Sequence, residues 1–112
     1  MVVAYVPERG DVVWVNFNPT EGHEQAGHRP ALVLSPAAYN GRSGLMLCCP
    51  ITSKIKPYPF VVPILGNDAV AGAALADQLR TLDWRARKAK KKGRVAERTL
   101  REVLGKAMAL LT

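Results

Sequence analysis

The stretch Asp11-Val-Val-Trp-Val-Asn-Phe-Asn18 carries the clearest strand pattern in this sequence of 112 residues. It is rich in β-branched and aromatic residues, and Val13, Val15 and Phe17 alternate with polar neighbours such as Asn16. Alternation with a period of two places successive side chains on opposite faces of an extended chain. The pattern therefore predicts a β-strand with one apolar face.

Further short apolar runs follow this strand and are separated by glycine, proline and asparagine. They predict buried strands at 30–36 and 45–51, an edge strand around 60–62, and more strand at 70–77 and 79–82. An Asn-Gly pair predicts a turn at 39–44, and residues 85–94 fit no regular element. Several short strands at this spacing are typical of a small, mainly β barrel.

The C-terminal residues follow a different period. Apolar side chains recur every three or four positions, at Leu100, Val103, Leu104, Ala107, Met108 and Leu111. This stripe predicts an amphipathic helix at about 97–111. We expect the stripe to pack on the core and to leave a part available to a partner subunit.

Composition is that of an ordinary globular domain, with 48% hydrophobic and 22% charged residues. No apolar run approaches the roughly 20 residues that span a membrane, and the first residues lack a secretory signal pattern. We therefore expect a cytoplasmic protein. The two cysteines, Cys48 and Cys49, are adjacent on a predicted strand, so they point to opposite faces and we expect two small buried side chains rather than a disulfide.

The positive charge is concentrated at one end of the sequence. Residues 80–112 contain eleven basic and three acidic side chains, a surplus of +8, whereas residues 1–79 carry −1. A localised basic patch is typical of a protein that binds a polyanion, although a solvated charged face has the same composition. The candidate polyanion-binding residues of this basic run are Arg85, Arg87, Lys90, Lys91 and Lys92. Of the two tryptophans, we expect Trp14 in the core and Trp84, beside the basic run, to stack on a base.

Two groups of polar residues are candidates for chemistry. The predicted loop 19–29 contains Glu24, His28 and Arg29, which offer a carboxylate, an imidazole and a guanidinium that suits phosphate. The second group follows predicted strands: Thr52 and Ser53 after one strand, Asp77 and Gln78 after another. An exposed polar loop and ordinary turn residues explain the same patterns. No spacing typical of a metal site occurs, so the sequence predicts no metal or cofactor.

Taken together, these stretches resemble the MazF family of toxin endoribonucleases, also called the PemK or Kid family. The most specific match is Glu24-Gln-Ala-Gly-His-Arg-Pro-Ala31 with Val33-Leu-Ser-Pro36. It is supported by Gly10-Asp11, Trp14-Val15, Phe17-Asn-Pro-Thr20, Tyr58-Pro-Phe60, Ala74-Leu-Ala-Asp-Gln78, Trp84-Arg-Ala-Arg87 and Lys91-Lys-Gly93. The resemblance covers nearly the whole chain and identifies residues 1–112 as a single MazF-like domain.

The resemblance implies a small SH3-like barrel of the CcdB/Kid type with a C-terminal helix, a homodimer, and an acidic antitoxin partner of the MazE type. It also implies metal-independent cleavage of single-stranded RNA at specific sequences, by attack of the 2′-hydroxyl on the adjacent phosphorus. Arg29 and Thr52 match the family's catalytic pair. Because an arginine stays protonated in proteins, it is a poor general base, so Glu24, His28 and Asp77 remain candidates for the acid–base steps or for RNA binding, with Ser53 and Gln78 beside them.

Two other functions fit a small basic barrel. The CcdB toxins share a related fold and poison gyrase by binding it without any chemistry. A plain RNA-binding barrel would bind RNA and release it uncut.

Overall fold

The computed structural model describes residues 4–19, 22, 27–65 and 70–112. Within these ranges the chain forms a mainly β domain with a helix at its C-terminal end, which confirms the predicted fold class. Its elements are β1 (Asp11–Asn16), β2 (His28–Val33), α1 (Ala37–Ser43), β3 (Leu45–Thr52), β4 (Val61–Ile64), β5 (Gly72–Leu75), β6 (Arg80–Asp83), β7 (Lys90–Arg94) and α2 (Glu97–Ala109).

The strands form one curled antiparallel sheet in the order β4-β5-β3-β2-β1-β7. The long strand β3 organises it, because the first half of β3 pairs with β6 and the second half pairs with β5. The other side of β3 pairs with β2. β4 lies at one end of the strand order, as Pro59 before it and Pro63 within it predict, and the curvature agrees with an SH3-like barrel.

Both faces of the central strands are buried. Val12, Leu32 and Cys49 pack with Leu100 and Val103 of α2 in one cluster. Their sequence neighbours on the same strands belong to a second cluster on the opposite face, which includes Val13, Ala31, Val33, Cys48 and Trp84. Burial on two faces explains why β2 and β3 are continuous apolar runs rather than alternating ones.

The adjacent cysteines follow this two-sided arrangement, as the sequence predicts. Cys48 and Cys49 are both fully buried and unpaired by a disulfide. Burial raises the pKa of the Cys48 thiol to about 12 and raises that of Cys49 as well, since an apolar interior disfavours the thiolate. Both thiols are therefore protonated and unreactive at neutral pH.

Residues 39–44 were predicted to form a turn, and this is wrong: most of them belong to the short helix α1. The side chain of Asn40 is fully buried, where its Nδ2 donates to the carbonyl oxygen of Pro7 at 2.8 Å and its Oδ1 accepts from Ser35 Oγ at 2.6 Å. Gly44 then ends the helix in the left-handed conformation. Tertiary hydrogen bonds thus stabilise a helix that is too short to form alone.

Two further expectations about elements are corrected. The loop 19–29 was predicted to contain His28 and Arg29, but both belong to β2, where pairing with β1 extends the strand beyond the apolar run. Of residues 85–94, which fitted no element, 90–94 form β7, which pairs with β1 from Asp11 to Trp14, and the residues before them form turns. In both cases pairing with β1 supplies the stability that the local sequence does not indicate.

The burial of the two tryptophans is the reverse of the prediction. Trp84 is buried, and its indole Nε1 donates to the carbonyl oxygen of Asn40 at 2.9 Å. Trp14 is 41% exposed. Its side chain is on the same face of β1 as that of the buried Val12. It lies two residues further along the strand, beyond the core cluster that packs beneath α2. The expected burial of Trp14 rested on its residue type, whereas its actual burial depends on how far α2 extends over the sheet.

Candidate active site

An open cleft of about 540 Å³ lies where β2 begins and where β3 and β5 end. It brings together five residues that the sequence placed in three separate segments: Arg29, Thr52, Ser53, Asp77 and Gln78. The remaining lining residues are Lys54, Lys56, Tyr58, Val61 and Leu75. The described lining residues include three basic side chains and one carboxylate, and this balance favours an anionic ligand.

The strand register explains why Arg29 and Thr52 meet. β2 and β3 pair with Ala31 opposite Pro50 and Val33 opposite Cys48. Continuing this register by two residues sets Arg29 opposite Thr52. Residues directly opposite each other on antiparallel strands share a face, with Cβ atoms about 5 Å apart. A guanidinium and a hydroxyl therefore enter the cleft from neighbouring rigid strands.

Thr52 is held more firmly than its neighbour Ser53. The side chain of Thr52 is buried, and its Oγ1 accepts a hydrogen bond from the backbone N–H of Lys54 at 3.1 Å. With its oxygen accepting that bond, the hydroxyl proton of Thr52 can be donated to a ligand in the cleft. Ser53 is exposed at the rim, where a second depression begins.

Gly72 allows β5 to approach Thr52 closely. Thr52 pairs with Ala73, and a Cβ built on Gly72 would lie 2.4 Å from the carbonyl oxygen of Thr52. Gly72 also has φ +127°, a conformation that other residues rarely adopt. This glycine, which the sequence analysis did not single out, therefore sets the position of Thr52.

Tyr58 lines the cleft, although the sequence analysis did not include it among the candidates. Its hydroxyl donates to Asp77 Oδ2 at 2.7 Å. This hydrogen bond and the charge of the carboxylate raise the pKa of Tyr58, so the hydroxyl stays protonated and continues to donate. The flanking prolines, Pro57 and Pro59, expose the ring, but no pattern in the sequence shows that it meets Asp77.

His28 does not line this cleft. It pairs with Asn16 at the far end of β1, and its ring lies 6.2 Å from that of Trp14 with an angle of 21° between the ring planes. Since it precedes Arg29 on the strand, its side chain points to the opposite face. Glu24 lies outside the described residues.

The basic run is divided among several environments. Arg85 lies over the buried Trp84 ring at 4.8 Å, and Arg87 Nη1 donates to the carbonyl oxygens of Asn16 and Asn18. Lys91 is 3.7 Å from the buried carboxylate of Asp11. Lys90 and Lys92, by contrast, extend beside Trp14. The residues predicted as one surface therefore include structural anchors as well as exposed cations.

No group of three or more His, Cys, Asp or Glu side chains in the described ranges is arranged to hold a metal ion. None of the helices in these ranges is long and apolar enough to cross a membrane.

Comparison with known proteins agrees with the fold. The chain is 51% identical over 111 residues to the endoribonuclease toxin MazF of Escherichia coli K12, covering 99% of each chain. It is 54% identical to MazF from Deinococcus radiodurans, whose crystal structure it matches with a TM-score of 0.92 over 96% of this chain and 98% of that one. A MazE–MazF complex from the same organism is matched at 49% identity and a TM-score of 0.85, over 96% and 97% of the two chains. The family model of PemK-like, MazF-like toxins of type II toxin-antitoxin systems matches residues 8–111, and the chain belongs to this family.

Proposed function

We propose that this protein is the toxin of a type II toxin-antitoxin system and an endoribonuclease that cuts single-stranded RNA, in particular mRNA, in the cleft of Arg29 and Thr52. The observation that carries the proposal is the convergence of Arg29, Thr52, Ser53, Asp77 and Gln78 in one basic cleft. The names of three different relatives, MazF, PemK and ChpB, describe endoribonucleases. Their shared activity favours catalysis over a CcdB-like toxin that only binds.

In the proposed reaction the 2′-oxygen of a ribose forms a bond to the adjacent phosphorus, and the bond from phosphorus to the 5′-oxygen breaks. The 2′-hydroxyl gives its proton to a base, and the leaving 5′-oxygen takes a proton from an acid. The products are a 2′,3′-cyclic phosphate and a 5′-hydroxyl, and no metal ion takes part. Arg29 stabilises the charge that develops on the phosphorane oxygens, and Thr52 donates a hydrogen bond to a non-bridging oxygen.

The proton transfers require groups close to the two reacting oxygens. Asp77 lines the cleft and already accepts a hydrogen bond from Tyr58. Glu24, the other carboxylate candidate, comes shortly before Arg29 in the chain. His28 lies on the opposite face of β2 and is better placed to contact RNA than to transfer a proton at the scissile phosphate.

Incubation of the protein with a long single-stranded RNA in EDTA tests the proposal. We expect cleavage at a short recurring sequence, with 2′,3′-cyclic phosphate and 5′-hydroxyl ends. Replacing the 2′-hydroxyl at the cut by hydrogen should stop cleavage and preserve binding, because the nucleophile alone is removed. Cleavage that requires Mg²⁺, or that occurs in an all-DNA strand, would contradict the mechanism. An uncut RNA together with inhibited gyrase would favour the CcdB-like alternative.

The proposed toxin acts as a homodimer in the cytoplasm and is inhibited by an acidic antitoxin of the MazE type. Solved structures pair MazF with MazE in Deinococcus radiodurans. The net charge of +7 on this chain and its basic cleft suit a partner rich in carboxylates.

A further inference from the structure

Trp14 is a large aromatic side chain that the fold leaves exposed in the middle of a strand. It lies in the middle of β1, between the buried Val13 and Val15, and yet 41% of its surface is exposed. Two side chains lie near its ring: the His28 ring at 6.2 Å in a stacked orientation, and the ammonium of Lys92 5.7 Å from its centroid. An exposed tryptophan beside a cation offers a stacking face for a flat ring and a positive charge for a neighbouring phosphate.

A β-bulge contributes directly to this arrangement. In β7, Gly93 pairs with Val12 and Lys91 pairs with Val13, so Lys92 is an extra residue without a partner in the register. Bulges change the direction of a side chain and are frequent beside functional sites. Here the bulge residue is the one whose ammonium reaches the Trp14 ring, while Lys90 is paired directly opposite Trp14.

Trp14 and His28 connect the candidate active site with a further depression. A small depression between them and the cleft is lined by both aromatic residues together with Arg29 and Ser53. On the other side, Trp14 and His28 border a larger depression whose remaining lining residues are polar or basic apart from Ala86: Asn16, Asn18, Arg87, Lys88 and Lys90. A single path therefore leads from Arg29 across the aromatic pair to a basic surface.

The chemistry along this path matches that of a single nucleic acid strand. Proteins that bind single strands combine aromatic rings for the bases with cations that follow the phosphates. Trp14 and His28 provide the rings and Lys90 and Lys92 provide the cations, and among the described residues no carboxylate lines the two depressions.

We propose that Trp14 and His28 form a base-stacking subsite that holds an unpaired nucleotide of the RNA on one side of the scissile phosphate. The subsite rests on the proposed function, because it extends the same RNA path beyond the cleft. Lys90 and Lys92 bind the phosphates that flank the stacked base. Stacking is tolerant of base identity, so the subsite adds affinity and positions the strand rather than selecting the cut sequence.

A double-mutant cycle tests the subsite by combining one substitution in the protein with one abasic nucleotide in the RNA analogue. Each probe is an oligonucleotide with the mapped cut sequence and 2′-H at the cut. In a series of such probes, a single abasic nucleotide replaces each flanking nucleotide in turn. For the wild-type protein, one abasic position should weaken binding by roughly tenfold to a hundredfold. For Trp14→Ala, binding of the intact oligonucleotide should fall by a similar factor, and that abasic position should have no further effect.

Two controls separate stacking from a general loss of structure. Trp14→Phe keeps an aromatic face and should retain most of the affinity, but it should lose the fluorescence change that the oligonucleotide causes in the wild-type protein. Tyr39→Ala removes another exposed aromatic ring, 44% exposed on α1 and outside the three depressions, and should bind normally.

The outcomes distinguish the subsite from the proposed function. Wild-type protein that cuts RNA but shows independent effects of Trp14→Ala and of every abasic position would overturn the subsite alone. A Trp14→Ala protein that loses only the binding of an acidic antitoxin peptide would also overturn it, in favour of a protein-docking surface. Wild-type protein that neither cuts RNA nor binds the oligonucleotide would overturn the function and the subsite together.

Discussion

Arg29 and Thr52 lie on different strands and on one face of the sheet. Neither side chain is required to fill the core, since Arg29 is half-buried at the strand end and Thr52 presents its hydroxyl to the cleft. Residues of this kind affect a reaction far more than they affect folding. At the residue scale, this separation of roles makes the proposed site testable.

Arg29→Ala should lower the cleavage rate by at least a hundredfold, because one donor that stabilises transition-state charge is worth roughly 3–4 kcal/mol. Its melting temperature should stay within a few degrees of the wild-type value. Single-turnover cleavage and thermal denaturation measure the two effects. Arg98→Ala removes the same charge from an exposed position on α2 and should cut normally. A folded Arg29→Ala protein that cuts at the wild-type rate would remove Arg29 from the mechanism.

β5 illustrates how an element positions a site residue without contributing a catalytic group. Gly72→Ala would bring a Cβ within 2.4 Å of the carbonyl oxygen of Thr52 and would add strain at φ +127°. We expect a loss of at least about 2 kcal/mol in the free energy of unfolding and a slower cleavage rate. Denaturant unfolding and kinetics measure both.

The same substitution on α2 provides the matched control. A Cβ at Gly105 meets no atom within 4 Å, so Gly105→Ala should stabilise the helix by about 0.5–1 kcal/mol and leave cleavage unchanged. If Gly72→Ala and Gly105→Ala have the same effects on the free energy of unfolding and on the cleavage rate, the close approach of β5 at Gly72 does not position Thr52.

β7 separates its lysines by role. Lys90 and Lys92 extend beside Trp14, whereas Lys91 is engaged with Asp11. Each phosphate contact on a single strand contributes about −0.7 to the slope of log affinity against log salt. Lys90→Gln with Lys92→Gln should therefore flatten the slope by roughly 1.4, with the cut sequence unchanged. Lys91→Gln should change the slope less, and a larger effect of Lys91 would contradict this assignment.

At the scale of the whole molecule, two exposed surfaces are suited to a partner: the apolar end of α2 and the basic cleft. Leu100 and Val103 of α2 pack on the core, but Met108, Leu110 and Leu111 at its end are exposed. These apolar side chains agree with the expected contact between two subunits near the C-terminal helix. The basic cleft and the path beyond it remain open for RNA or for an acidic antitoxin.

A peptide from the acidic end of the antitoxin should displace RNA from the protein and stop cleavage, because its carboxylates would meet Arg29 and the lysines that bind phosphate. Ordering a flexible peptide costs several kcal/mol, so apolar anchors must add to the charges. Fluorescence competition between labelled RNA and unlabelled peptide measures the displacement. Simultaneous binding of peptide and RNA without mutual weakening would contradict the shared site.

The sequence alone determined the main strands, the C-terminal helix, the buried cysteines and the residues that carry the family resemblance. Each of these depends on a local pattern: period-two alternation, continuous apolar runs or a helical stripe. The strand β7 and the helix α1 were missed because pairing with β1 and buried hydrogen bonds of Asn40 stabilise them, and neither appears in a local window.

Only the tertiary structure decided which polar residues meet. The β2–β3 register brings Arg29 to Thr52, the end of β5 adds Asp77, and Tyr58 reaches that carboxylate across 19 positions of sequence. The tertiary structure also reversed the expected burial of Trp14 and Trp84, since burial depends on what covers a side chain and not on its type. A sequence specifies which groups are available, whereas strand pairing over long separations fixes their distances, and chemistry depends on those distances.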